Sequence, residues 1–156
     1  RSISRLDILI VGLHTWVRPG NLPSLWHFYL QVPIARRVRS RRVRDLNTRA
    51  LVRAASRYPV AFISHPGLHM DIDTQLLAKE CRKYGTALEI NTSHNHTTLE
   101  YIKVAASTGV DFVISSDAHD PLRVGDFAKG VGLAERAGLR PEQILNTRPA
   151  WEGKRP

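Results

Sequence analysis

Four short apolar runs, separated by stretches of helix-length sequence, constrain this chain more than any other feature. They are Leu6-Asp7-Ile8-Leu9-Ile10-Val11-Gly12-Leu13, Val60-Ala61-Phe62-Ile63-Ser64, Thr86-Ala87-Leu88-Glu89-Ile90-Asn91 and residues 110–115. Each is nearly continuously apolar, rich in β-branched residues and bounded by turn formers, the mark of a strand buried on both faces. Helical patterns lie between and after them. Residues 45–57 put Leu46, Ala50, Leu51 and Ala54 on one face. Residues 71–84 offer Asp71 or Asp73 as a cap, a stripe of Ile72, Leu76, Leu77 and Cys81, and Gly85 as a stop. Thr97-Thr98-Leu99-Glu100 reads as a capping box opening a helix to Ser107, with Gly109 after it. Residues 124–136 form the next helix, closed by Gly138, and a short one starts at Pro141. Linkers too long for hairpins make this a parallel α/β structure, open or barrel-like.

The residues at the strand ends point to a site. The first run ends at His14 and the second at His65; the third holds Glu89 and Asn91; the fourth delivers Asp117 and His119. In parallel α/β folds the carboxyl ends of the strands share one rim, where ligands collect. Asp117 and His119 are two residues apart, so in extended backbone their side chains reach the same point. A turn with solvated or helix-capping side chains explains any one of these residues. Four successive strand ends carrying His, His, Glu/Asn and Asp-x-His are better explained by a divalent metal. Imidazoles with carboxylates favour Zn, Mn or Fe over Ca or Mg. Metal-assisted hydrolysis is the commoner use of such mixed clusters. The chain has no GxGxxG, GxxxxGK[ST] or GxSxG motif, so dinucleotide, P-loop and hydrolase-elbow chemistry have no support.

Charge sharpens the picture. Of the net +9, all the excess lies in residues 1–57, where twelve Lys/Arg face only Asp7 and Asp45. Six arginines fall within residues 36–44, either a solvated segment or a recruiter of phosphate groups or nucleic acid. Before them, residues 15–35 combine Pro19-Gly20, Pro23 and Pro33 with Trp16, Trp26, His27, Phe28 and Tyr29. That reads as a long loop with a short helix at 24–31, serving as a lid or an oligomer contact. The single cysteine, Cys81, excludes an internal disulfide and suits a cytoplasmic location. No apolar run approaches the roughly 20 residues of a membrane span. The chain starts almost at a strand without an initiator Met, and we expect a fragment of a longer protein.

Ile63-Ser64-His65-Pro66-Gly67, Ala87-Leu88-Glu89-Ile90-Asn91 and Ser115-Ser116-Asp117-Ala118-His119 resemble, in order and spacing, the later motifs of the PHP (polymerase and histidinol phosphatase) domain. Gly12-Leu13-His14 fits the preceding strand end, and Gly125-Asp126-Phe127 and Ile144-Leu145-Asn146 resemble the C-terminal segments, closest to the stand-alone bacterial phosphatase branch. The resemblance implies a distorted (β/α)7 TIM-like barrel, of which residues 1–147 supply about the C-terminal four β/α units, with 15–45 an insertion and 148–156 a tail. It implies phosphoester hydrolysis at a site with two or three divalent ions in the complete protein. By the match, His14, His65, Asp117 and His119 are metal ligands, with Asp117 and His119 at the catalytic centre. Glu89 and Asn91 shape the rim, while Arg36, Arg37 and His69 are candidates for the substrate mouth.

The family's opening His-x-His strand end, two further histidines and bridging glutamate do not precede residue 6. His94-Asn95-His96 repeats the opening pair's spacing after the third strand. It reads as a solvated loop pair, with an accessory phosphate or metal contact as the alternative. The expected substrate is a small phosphorylated metabolite or nucleotide. A nuclease or polymerase-associated module, or a non-catalytic binding domain using residues 36–44, are the other readings. The missing opening strands leave open edges that invite oligomerisation or pairing with the other half of the barrel.

Overall fold

The structure is a computed structural model and describes residues 3, 6–14, 20, 22–26, 30, 34 and 40–148. The strands are β1 (Leu9–Gly12), β2 (Val60–Ser64), β3 (Ala87–Asn91) and β4 (Phe112–Ser115). They form one parallel sheet in the order β1-β2-β3-β4. The helices are α1 (Leu22–Trp26), α2 (Arg41–Arg57), α3 (Thr74–Lys83), α4 (Leu99–Ala106) and α5 (Ala128–Arg136), with 3₁₀ turns at Pro121–Arg123, Pro141–Gln143 and Leu145–Thr147. The alternation read from sequence is therefore present as an α/β arrangement, and four parallel strands are compatible with part of a TIM-like fold.

Register divides the sheet into two faces. Val11 pairs with Ile63, Ile63 with Leu88 and Leu88 with Phe112, and this face packs under the helices with Leu51, Leu77, Cys81, Ile102 and Ala134. Gly12, Ser64, Ala87, Glu89, Asn91 and Ser115 alternate onto the opposite face. The apolar core thus lies between sheet and helices, and polar residues gather at the carboxyl end of the other face. α5 sits so close that a Cβ on Gly130 would lie 2.7 Å from methyl carbons of both Ile114 and Thr92. Only glycine fits there.

Several local readings change. The first strand is shorter than 6–13 and is not buried: Ile10 is 50% exposed, because among the described residues β1 pairs only with β2. α2 begins at Arg41 and buries Val43, Asn47, Thr48, Leu51 and Ala55, leaving Leu46 exposed. The face turned because two polar groups have fixed partners. The Asn47 amide donates to the Asp71 carbonyl at 3.0 Å, and the Thr48 hydroxyl accepts from the Asp73 N–H at 2.8 Å. Hydrophobic periodicity counts neither. Likewise α3 buries Leu77, Ala78 and Cys81 but exposes Leu76, and its cap is Asp73. α4 is capped by Thr98, which accepts from the Tyr101 N–H, so the expected box on Thr97 starts one residue late. α5 begins at Ala128 instead of 124, after a turn with Gly125 at φ +82°. The expected helix at 24–31 is seen as Leu22–Trp26, and its remainder except Leu30, with Trp16, His27, Phe28, Tyr29 and the tail beyond 148, lies outside the described residues.

Candidate functional site at the strand ends

The end of β2 turns sharply. His65 has φ +31° and Gly67 φ +94°, which breaks the strand and presents the His65 ring at the rim. From β1, His14 meets it edge to face, with ring centroids 4.6 Å apart. Gly12 makes the meeting possible, since a Cβ there would lie 3.2 Å from His14 Nε2 and 3.3 Å from His65 Cε1.

Glu89 is only 2% exposed. Its Oε2 accepts from the His65 N–H, from the Ser64 hydroxyl at 3.3 Å and from the Asn91 amide at 3.1 Å. The carboxylate therefore holds the turn that carries His65. Asn91, fully buried, also donates from Nδ2 to Asp117 Oδ2 at 2.9 Å. Its Oδ1 accepts from the N–H groups of Ser93 and His94 at 2.9 and 3.0 Å. Both amide protons and the carbonyl are in use, so Asn91 ties β3 to the β4 loop and shapes the 92–97 loop at once.

Asp117 sits at φ +46°, a backbone region that Asp tolerates better than most residues. Besides Asn91, its Oδ2 meets His94 Nε2 at 3.3 Å. His119 Nδ1 lies 2.8 Å from the Asp117 carbonyl oxygen. A carbonyl only accepts, so Nδ1 carries the proton and neutral His119 keeps its lone pair on Nε2. The His119 ring is exposed and is tied to the Asp117 backbone, not to its carboxylate. His69, at φ +61°, is exposed. Arg36 and Arg37 lie outside the described residues.

The sequence reading understated the 92–97 loop. His94 contacts the Asp117 carboxylate, and His96 is partly buried with its Nδ1 unpartnered among the described residues. Lys129 clamps the loop from α5, donating to the His94 carbonyl at 3.1 Å and Asn95 Oδ1 at 2.9 Å. Burial, then the neighbouring His65, His94, His69 and Lys129, pushes the His96 pKa down to about 4. Burial and His14 lower His65 as well, against the opposing pull of Glu89. The signal was present: His94-Asn95-His96 has the same spacing as Asp117-Ala118-His119, and both come after a strand.

In kind, these donors suit a divalent metal: a buried His65 Nδ1 that has no partner among the described residues, a His119 Nε2 outside the ring's hydrogen bond to Asp117, and the Asp117 carboxylate. In number they fall short, because among the described residues no three His, Cys, Asp or Glu side chains close on one point. They come in pairs, His14 with His65 and His94 with Asp117.

No family model matches the chain. It is 29% identical over 94% of its length to a "Probable phosphatase" of Shewanella frigidimarina, covering 54% of that protein. It is 31% identical over 94% of its length to a "Probable phosphatase" of Enterobacter sp. (strain 638), covering 55% of it. A "Probable phosphatase" of Thermoanaerobacter sp. (strain X514) is 31% identical over 66% of this chain and is covered to 46%. The chain thus spans about half the length of the curated relatives it matches, and phosphatase is the function those relatives share by name.

Proposed function

We propose that this chain carries part of a PHP-type, metal-dependent phosphoesterase site that hydrolyses a phosphomonoester of a small metabolite or nucleotide. The observation that carries the reading is the hydrogen-bonded chain His65–Glu89–Asn91–Asp117 across three neighbouring strand ends, flanked by His14 and His119. Similarity of about 30% to probable phosphatases supports the reaction class. His14, His65, Asp117 and His119 would hold divalent Zn, Mn or Fe. We assign the remaining ligands to the part of the relatives that this chain does not span.

When bound, such ions lower the pKa of water to make hydroxide near neutral pH and offset charge on the phosphoryl oxygens. The residues at the rim prepare that chemistry. Glu89 fixes the strained His65 turn through its backbone N–H. Asn91 occupies Asp117 Oδ2 and so orients the carboxylate, leaving Oδ1 outside that hydrogen bond. The Asp117 carbonyl selects the His119 tautomer with Nε2 as the lone-pair nitrogen. No side chain needs to act as a covalent nucleophile.

The test is hydrolysis of a chromogenic phosphomonoester with added Mn by the protein at the length of its relatives, with and without Asp117→Asn. Activity at least a hundredfold lower in the variant, with metal content reduced, is expected. Undiminished activity in the variant would reject the metal site at Asp117.

A further inference from the structure

α2 carries an unusual outer face. Arg42, Arg49, Arg53 and Arg57 are all exposed and fall at helical spacings of seven, four and four residues. They form one stripe opposite the buried Val43, Asn47, Thr48, Leu51 and Ala55. Exposed Leu46 fills the gap between Arg42 and Arg49. The only acidic residue in the helix, Asp45, borders the stripe four residues before Arg49, but its carboxylate lies 3.7 Å from Arg44. None of the four stripe arginines has an ion-pair partner among the described residues.

Solvated helix faces usually mix signs, because Glu or Asp four residues from Arg stabilises the helix. Here Arg49 with Arg53, and Arg53 with Arg57, are like-charged neighbours four apart, which costs the isolated helix a few tenths of a kcal/mol each. The first turn adds basic Arg41, Arg42 and Arg44, has no acidic residue, and lacks a side-chain cap at Ser40, against the helix dipole. A polyanion laid along the face would relieve all of these penalties together.

At 1.5 Å per residue the stripe from Arg42 to Arg57 is about 22 Å long. A small phosphorylated metabolite touches one or two such arginines, whereas a phosphodiester backbone runs along them all. A membrane surface fits less well, since helices that lie in lipid bury an apolar face, and the apolar face of α2 is already committed to the sheet. Within α2 no exposed amide or aromatic side chain accompanies the arginines to read or stack bases.

We propose that this face of α2 is a nucleic-acid docking surface that contacts backbone phosphates without regard to sequence. It places the basic site suggested by residues 36–44 along α2 and is independent of the phosphatase reading.

Fluorescence anisotropy of labelled 20-base-pair duplexes of DNA and of RNA, at 50–200 mM salt, tests it. Arg49→Gln/Arg53→Gln should weaken binding at least tenfold at low salt and reduce the slope of log affinity against log salt by about 2. Two duplexes of unrelated sequence should bind alike. Lys79→Gln/Lys103→Gln removes the same charge from exposed positions on other helices and should leave binding nearly unchanged. Circular dichroism of both variants establishes that they fold. Equal weakening in the two double variants, no binding by the wild type, or equally arginine-dependent binding to phosphatidylserine vesicles would overturn the proposal.

Discussion

Glu89 and Asp117 are carboxylates at the ends of neighbouring strands, joined through one asparagine, yet they do opposite work. Glu89 is 2% exposed and spends one oxygen on three donors, two of them from the β2 turn. The Asp117 side chain is 23% exposed, sits on a left-handed backbone, and among the described residues meets Asn91 and His94. One is a strut and the other faces the open rim. The carboxylate is shared; the register decides the role. Phe62 pairs with Ala87, so Ser64 and His65 run alongside Glu89 and its carboxylate falls beneath their turn.

Breaking the strut should have the largest effect. Glu89→Ala strips the His65 N–H and Ser64 hydroxyl of their buried acceptor, and each buried polar group left unpaired costs about 1–3 kcal/mol. We expect a loss of about 3 kcal/mol or more in urea unfolding, with Glu89→Gln falling between this variant and the wild type. If Glu89→Ala unfolds like the wild type, the carboxylate is no strut.

The next effect is pH-dependent and belongs to the same buried layer. His96 has a folded-state pKa of about 4, below its ordinary value of 6.5, so between these values the unfolded chain binds more protons than the folded one. Its contribution is therefore present above pH 6.5 and is lost as pH falls toward 4. Stability of metal-free protein should decline across that window, and His96→Gln should flatten the decline. A parallel pH curve for the variant would mean that His96 is solvated.

Asp117→Asn should be the smallest perturbation of the fold. Asn tolerates φ +46° and still meets Asn91 and His94, so we expect a stability change within about 1 kcal/mol. The same variant is the one expected to lose metal and activity. A loss of stability as large as that of Glu89→Ala would erase the distinction between strut and rim.

A similar contrast separates β3 from β1. All five residues of β3 are buried, whereas β1 is half-exposed. Both look alike as apolar runs. Neighbours on both sides bury a strand, and among the described residues β1 has one on only one side.

Local pattern determined the elements of this protein. β2 was legible residue for residue, β3 and β4 to within two residues, and glycines at 85, 109 and 138 take the left-handed conformation that ends a helix. These depend on backbone preference and apolar runs, which act over a few neighbours. The identities of His14, His65, Glu89, Asn91, Asp117 and His119 as strand-end residues came from the same runs. Only the tertiary structure decided what they touch. The Glu89 strut, the Asn91 link to Asp117 and the His94 contact join residues 23 to 26 apart, through a strand register that no local pattern encodes. The buried face of α2 turned for the same reason, because Asn47 and Thr48 found partners in the loop before α3. Periodicity weighs apolar surface, and these choices were made by buried hydrogen bonds that must be satisfied.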